Sequence, residues 1–238
     1  MVEFLWLVSD KHGQLKSIEY FCKKVETSID DTLIILGDVG LNVYGEEHDR
    51  PLKKYASNLP ITLFCIRGNH EARPSDFDYY ELKWFDKYSC FCYFDKKYPN
   101  IIFPKDGVCW LNNHRCLICG GAYSVDKYYR LKNGWFWNPT EQLSVEEKDN
   151  IELLVKQQPN FEYIFTHTAP ISFEPTWLFL PWINQSEVDK SMENFLQDIY
   201  EEIKDKKSFK KWFFGHYHAD CKINEKISIL YSDFIELE

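Results

Sequence analysis

No apolar run in this chain approaches the roughly 18 residues that a membrane-spanning helix requires. The opening apolar segment, Met1 to Ser9, stops at Asp10 and has no basic residues ahead of its apolar part, so it is too short for a secretory leader. A cytoplasmic location is therefore expected. Positive charge is also in deficit: the formal net charge is −9, which opposes binding to double-stranded nucleic acid, where Lys and Arg must replace backbone counterions. Internal repeats, low-complexity tracts and linker-like segments are missing too. The 238 residues are expected to form one domain over 1–238. Cysteine is sparse, at 8 residues, and most cysteines sit inside apolar runs, where they behave as small buried hydrophobes. The Cys116-x-x-Cys119 pair has a metal-site spacing, but a strand would put its thiols on opposite faces, and no second pair follows.

What is present is aromatic bulk, at 17% of residues, and an alternation of strand and helix signals. Glu3 to Val8 is a short apolar run, and Leu15, Ile18, Phe21, Cys22 and Val25 then recur at helical spacing. Thr32 to Leu36 and Ile61 to Ile66 are strand-like, and Arg50 to Asn58 between them predicts a short helix with Pro51 in its first turn. The stretch from about 71 to 138 is expected to be an irregular rim insertion with a clear strand only at Cys116 to Cys119. Further on, Val145 to Gln157 and Glu187 to Lys204 predict helices, while Phe161 to Phe165 and Lys211 to Phe214 predict strands. Hairpin-like strands are expected around Cys221 to Ile223 and Ile227 to Tyr231. The order is that of an α/β protein, in which ligands gather at the carboxyl ends of strands.

Five of these strands end in Asp10-x-His12-Gly13, Gly37-Asp38, Gly68-Asn69-His70-Glu71, Thr166-His167 and Gly215-His216-x-His218. A lone histidine is ordinarily a surface or core residue. Here five of the seven histidines stand at strand ends, interleaved with two carboxylates, and that points to a shared site. Mixed oxygen and nitrogen donors suit Mn, Fe, Zn or Co better than Ca or a thiolate-bound ion.

In these five blocks and their order the chain resembles the calcineurin-like metallophosphoesterases, from Asp10 to His218. The resemblance implies a pair of mixed β-sheets packed face to face with helices outside, an α-β-β-α sandwich. It implies that Asp10, His12 and His218 hold one divalent metal, that Asn69, His167 and His216 hold a second, and that Asp38 bridges the two. His70 is left free of metal and is expected to donate a proton to the leaving oxygen. The implied activity is hydrolysis of a phosphomonoester or phosphodiester by a hydroxide that two metal ions activate. One departure matters: the second block continues Val39-Gly40-Leu41-Asn42, where the family's protein Ser/Thr phosphatases carry an Asp-Arg pair. A small phosphorylated substrate is thus favoured over a phosphoprotein.

Two other classes compete with the hydrolase. One is an inactive or weakly active binding scaffold on the same fold, against which the complete set of ligands argues. The other is a nuclease acting on short single strands, which the net charge disfavours. Arg67, Arg73 and Arg130 are candidates to steady a phosphate oxygen, with Arg73 and Arg130 preferred because they lie in the irregular rim. His48 and His114 match no block. The aromatic runs Trp135 to Trp137 and Trp177 to Trp182 are candidates for a lid, a substrate wall or a protein-partner surface.

Overall fold

The computed structural model describes residues 3–237. Period-two alternation along each strand decides which layer its apolar side chains enter. In the strand Thr32–Leu36, Ile34 and Leu36 join one buried cluster while Leu33 and Ile35 join another on the opposite face. A strand buried on both sides reads as a continuous apolar run, and that is why these runs are unbroken in the sequence.

With strands numbered in chain order, the first sheet runs β13 (Ile235–Glu236), β1 (Leu5–Val8), β2 (Thr32–Leu36), β3 (Thr62–Ile66), β6 (Ile101–Pro104), β5 (Cys90–Phe94) and β4 (Glu81–Phe85). Strands β1, β2, β3 and β6 are parallel and the outer ones antiparallel. The second sheet runs β11 (Cys221–Lys222), β12 (Ile227–Ile229), β10 (Lys211–Phe214), β9 (Tyr163–Thr166), β8 (His114–Cys119) and β7 (Gly107–Leu111). Its central strands are again parallel.

Helices α1 (Lys16–Val25) and α2 (Glu46–Ser57) make the crossovers of the first sheet, and residues of both join its outer apolar cluster. A short helix α3 (Lys127–Lys132) carries no buried residue. Helices α4 (Val145–Gln157) and α5 (Ser191–Ile203) cover the second sheet, burying Ile151, Val155, Phe195 and Ile199 against Trp212 and Phe214 of β10. A third cluster fills the space between the sheets, where Leu7, Ile34 and Phe64 meet Ile118, Phe165 and Phe213. Burying one such side chain contributes about 1.5–3 kcal/mol, so layer order follows from which face of each strand is apolar. The result is the α-β-β-α sandwich that the resemblance implied.

Cys116 lies in the inter-sheet cluster and Cys119 in the outer one, on opposite faces as a strand requires. Two expectations are corrected. The stretch expected to be irregular, 71–138, contains β4 to β8, which build the edges of both sheets. Its pattern misled because β4 is a largely exposed hairpin strand, with Leu82 and Trp84 facing outward. Helix α2 begins at Glu46, so Pro51 lies inside it and not in its first turn. The Asp49 carboxylate accepts the Val43, Tyr44 and Gly45 N–H groups and fixes the loop entering that helix. Among the described residues, no helix is long and apolar enough to cross a membrane.

Candidate metal centre

The carboxyl ends of β1, β2 and β3 in one sheet meet those of β9 and β10 in the other, and backbone bonds tie neighbouring ends within each sheet. Gly215 N–H donates to the His167 carbonyl at 2.9 Å, and His12 N–H to the Asp38 carbonyl at 2.7 Å. Where two loops cross, no Cβ fits: one at Gly68 would overlap the Asp38 carboxylate, and one at Gly37, itself at φ +94°, would overlap the His167 ring. The glycines of these blocks therefore let carboxylate and imidazole approach the backbone of neighbouring loops.

Asp10, His12, Asp38, His216 and His218 all have left-handed backbone, with φ between 45° and 67°. Such a conformation costs a non-glycine residue of order 1 kcal/mol or more, and it persists only where the surroundings over-determine it. Nine non-glycine residues among those described have positive φ, and five of them belong to this cluster. Strain is concentrated at one place in the fold.

The side chains converge. Asp38 Oδ1 accepts the His70 N–H at 2.9 Å, while its Oδ2 lies 3.9 Å from His12 Nε2 and 3.6 Å from His167 Nε2. Asp10 Oδ2 accepts the His216 N–H at 2.9 Å, and Oδ1 stands 3.5 Å from His218 Nε2. The His12 and His218 Nε2 atoms are 3.1 Å apart. Asn69 presents Oδ1 to His167 Nε2 at 2.8 Å, its amide nitrogen being held by Ser124 Oγ. His216 packs its ring 5.1 Å from that of His167. All seven residues named for metal binding thus stand in one cluster, with Asp38 between the histidines of the two sheets.

The electrostatics suit cations. Burial opposes charge on Asp38, yet His167 and the other nearby imidazoles hold its carboxyl far below the ordinary range. Burial likewise opposes charge on His167, but the Asp38 and Asp10 carboxylates raise it to about 9. Burial takes His216 down to about 3, so its imidazole is neutral and offers a lone pair. His167 Nδ1 lies 2.7 Å from the Leu36 carbonyl, which fixes the ring and turns Nε2 toward Asp38.

The donor set fits a metal on a further count: Asp10 Oδ1 is buried and, among the described residues, has no well-formed hydrogen bond, His218 Nε2 standing 3.5 Å away. An ionised carboxylate oxygen in that position is costly unless a cation or a donor meets it. Two overlapping groups have all ligand atoms within 4.8 Å of one another, Asp10 with His12 and His218, and Asp10 with Asp38 and His167.

Other residues are placed differently. Arg73 is turned away: its guanidinium binds Glu147 through both terminal nitrogens and the Thr140 and Gln142 carbonyls, and it lines a separate cavity. Its Nε and both terminal nitrogens are engaged there, which is at odds with the expectation that it steadies a phosphate oxygen. Arg67 is buried on the Glu141 and Gly120 carbonyls, tying β3 to the end of β8. Arg130 pairs with Asp126 at 2.7 Å and is close enough to oppose protonation of His70. Glu71 is a further residue that shapes the site, though the five-block pattern assigns it no role. Its buried Oε1 accepts the Gly40 and Leu41 N–H groups, so it shapes the loop carrying Asp38, and burial raises it to about 7. An acid directly after the histidine of the third block was the available signal.

The family model for calcineurin-like phosphoesterases matches residues 5–220. The chain belongs to this family. Among solved structures it is similar to TT1561 of Thermus thermophilus, at 12% identity over 97% of this chain and 89% of that one, with a TM-score of 0.48. It is also similar to AQ665 from Aquifex aeolicus, a protein of unknown function, at 12% identity over 70% of this chain and 81% of that one, with a TM-score of 0.29. No curated protein sequence matches the chain.

Proposed function

We propose that the protein is a phosphoesterase that works with two divalent cations, drawn from Mn, Fe, Zn and Co, and hydrolyses a small phosphomonoester or phosphodiester. The observation that carries this reading is the position of Asp38, whose Oδ2 faces His12 on one side and His167 on the other within 3.9 Å. In this reading Asp10, His12 and His218 hold one cation, Asn69, His167 and His216 hold the other, and Asp38 is shared. Bound there, the pair would supply Lewis acidity to the phosphoryl oxygens and lower the pKa of water into the neutral range.

The chain's own residues do the rest. Ser124 sets the Asn69 amide so that its oxygen, and not its nitrogen, faces the cluster. The Leu36 carbonyl sets the His167 ring. His70 is tethered through its backbone to Asp38, and its ring lies 5.5 Å from that of His12, beside the cluster. Burial holds His70 below the ordinary imidazole value, so it is mostly neutral before substrate arrives. A phosphate dianion beside it favours the imidazolium, which can then give its proton to the leaving oxygen. Arg130, held by Asp126 and near enough to His70 for its charge to oppose protonation of that ring, is our candidate to steady the same phosphate.

A small substrate is favoured over a phosphoprotein by the second block. Asn42 is buried and accepts a hydrogen bond from the Tyr80 hydroxyl at 2.7 Å, so it faces the core and not the cluster.

The test is to strip metal, add Mn²⁺ and follow 4-nitrophenyl phosphate and bis(4-nitrophenyl) phosphate. Metal-dependent turnover, lost in Asp38→Asn, is expected. Inactivity with each of the four metals would establish the scaffold reading instead.

A further inference from the structure

We propose that the cavity beside the Asp38 cluster seats the organic group of the substrate, and that this group is a ring system bearing an N–H or O–H donor and no second anionic group. The inference rests on the phosphoesterase reading and adds a substrate class to it. The cavity measures about 350 Å³ and is continuous with Asp38, Asn69, His70, His216 and His218. A phosphoryl group at the cluster can therefore extend its alcohol into this cavity.

One wall is apolar. Leu178, Phe179, Leu180, Ile183 and Val188, all from the segment between the His167 loop and α5, line it. Phe179 lies parallel to Tyr217, with ring centroids 6.4 Å apart. Trp177 and Trp182 of the same aromatic run are exposed and are not part of the wall. At this volume the cavity sits near the small end of ligand sites, suited to a one- or two-ring group and too small for a peptide segment.

The other wall sets the polarity. Glu174, Glu193 and Asp126 line the cavity together with a single cation, Lys190. Lys190 is already engaged, 2.6 Å from the Glu174 carboxylate and 4.8 Å above the Phe179 ring. An anionic substituent there would meet carboxylates and, among the described residues that line the cavity, no uncommitted Lys or Arg. Glu193 is 3% exposed; its Oε1 accepts the Thr168 hydroxyl at 2.8 Å, while its Oε2 is buried and has no partner among the described residues. A buried oxygen with unused capacity is costly, and once the carboxyl is ionised, as pH rises through about 7, a donor on the substrate ring would relieve it.

The experiment compares esters of similar leaving-group basicity on the Mn²⁺-loaded protein: ethyl phosphate, 1-naphthylmethyl phosphate, and the latter bearing an amino or a carboxylate substituent. In parallel, calorimetry measures binding of 1-naphthalenemethanol without turnover. The ring is expected to raise kcat/KM by about 30-fold or more over ethyl phosphate. The amino group should raise it further, and the carboxylate should lower it about tenfold or more. Leu178→Asp should cut the ring advantage below about threefold, and Glu193→Gln should erase the preference for the amino ring.

Equal kcat/KM for ethyl and naphthylmethyl esters, with no calorimetric binding of the alcohol, overturns the cavity assignment and leaves hydrolysis standing. A preference for the carboxylate ring overturns the assigned polarity. Binding of the alcohol with no turnover of any ester, 4-nitrophenyl phosphate included, upholds the cavity and overturns the hydrolase.

Discussion

Replacing Gly68 with alanine tests the placement of Asp38 most directly. A Cβ at Gly68 would stand 1.9 Å from Asp38 Oδ1 and 2.3 Å from the Asp38 nitrogen, far inside van der Waals separation. The carboxylate alone cannot yield, because the backbone nitrogen obstructs as well. The backbone of that loop is pinned in turn, its Gly37, Asp38 and Val39 carbonyls accepting the Asp10, His12 and Gly13 N–H groups. Overpacking costs about 1–3 kcal/mol. Losing the hydrogen bond from His70 N–H to a charged oxygen adds about 1.5–3 kcal/mol. The sum, roughly 2.5–6 kcal/mol, is a large part of the roughly 5–15 kcal/mol that stabilises a typical domain. For a chain of this size each kcal/mol lowers Tm by about 2–4 °C, so a fall of at least about 5 °C is expected in scanning calorimetry. Calorimetric titration with Mn²⁺ at a temperature where the variant is folded should show weakened binding. A variant with Tm within 2 °C of the parent and unchanged Mn²⁺ affinity would refute the contact between Gly68 and Asp38.

Four further outcomes are expected. Glu193 is buried and its carboxyl is raised from an ordinary 4.5 to about 7, so the fold favours its protonated form. Its contribution is fully present below pH 4.5 and is lost as pH rises through 7, about 3 kcal/mol in all, so Tm of the parent should fall relative to Glu193→Gln between pH 5 and pH 8; parallel curves would contradict this. Arg73→Met should lower Tm by a few degrees, through loss of charge-assisted bonds to Glu147, and leave kcat/KM within about twofold. A large loss of activity at unchanged Tm would return Arg73 to the site. His70→Ala should slow alkyl phosphates by about 10²-fold to 10⁴-fold and activated aryl phosphates much less; equal losses on both would remove the proton-donor role. Asp38→Asn should weaken Mn²⁺ binding measured by calorimetry, and unchanged affinity and stoichiometry would show that this carboxylate is not shared.

The pattern of Asp, His and Gly at strand ends was visible in the sequence because each block is local, a tight turn after a short apolar run. Strands β1, β2, β3, β9 and β10 were legible for a related reason: each is buried on both faces and carries no polar interruption. Strands β4, β5 and β7 were not: β4 mixes Glu, Lys and Trp and is exposed along most of its length, while β5 and β7 alternate buried residues with exposed aromatic ones such as Phe91 and Trp110. Strand β13, two residues long, exists only through its pairing with β1.

Arg73 shows the limit most clearly. Its place in the expected rim suggested a phosphate ligand, but Glu147 lies 74 residues away and only the folded chain brings the two together. The wall made by Leu178, Phe179 and Leu180 was visible as an apolar run, yet which of its residues face a cavity depends on where α5 packs. By itself the sequence determined the donor types, their spacing within each turn and the glycines that let them approach, because those depend on backbone a few residues long. The tertiary structure alone decided that Asp38 stands between His12 and His167, that Arg73 is committed to Glu147, and that Glu193 faces a cavity with an unmatched oxygen. Those relations join residues far apart in the chain, and their distances are set by how two sheets pack and not by any local preference.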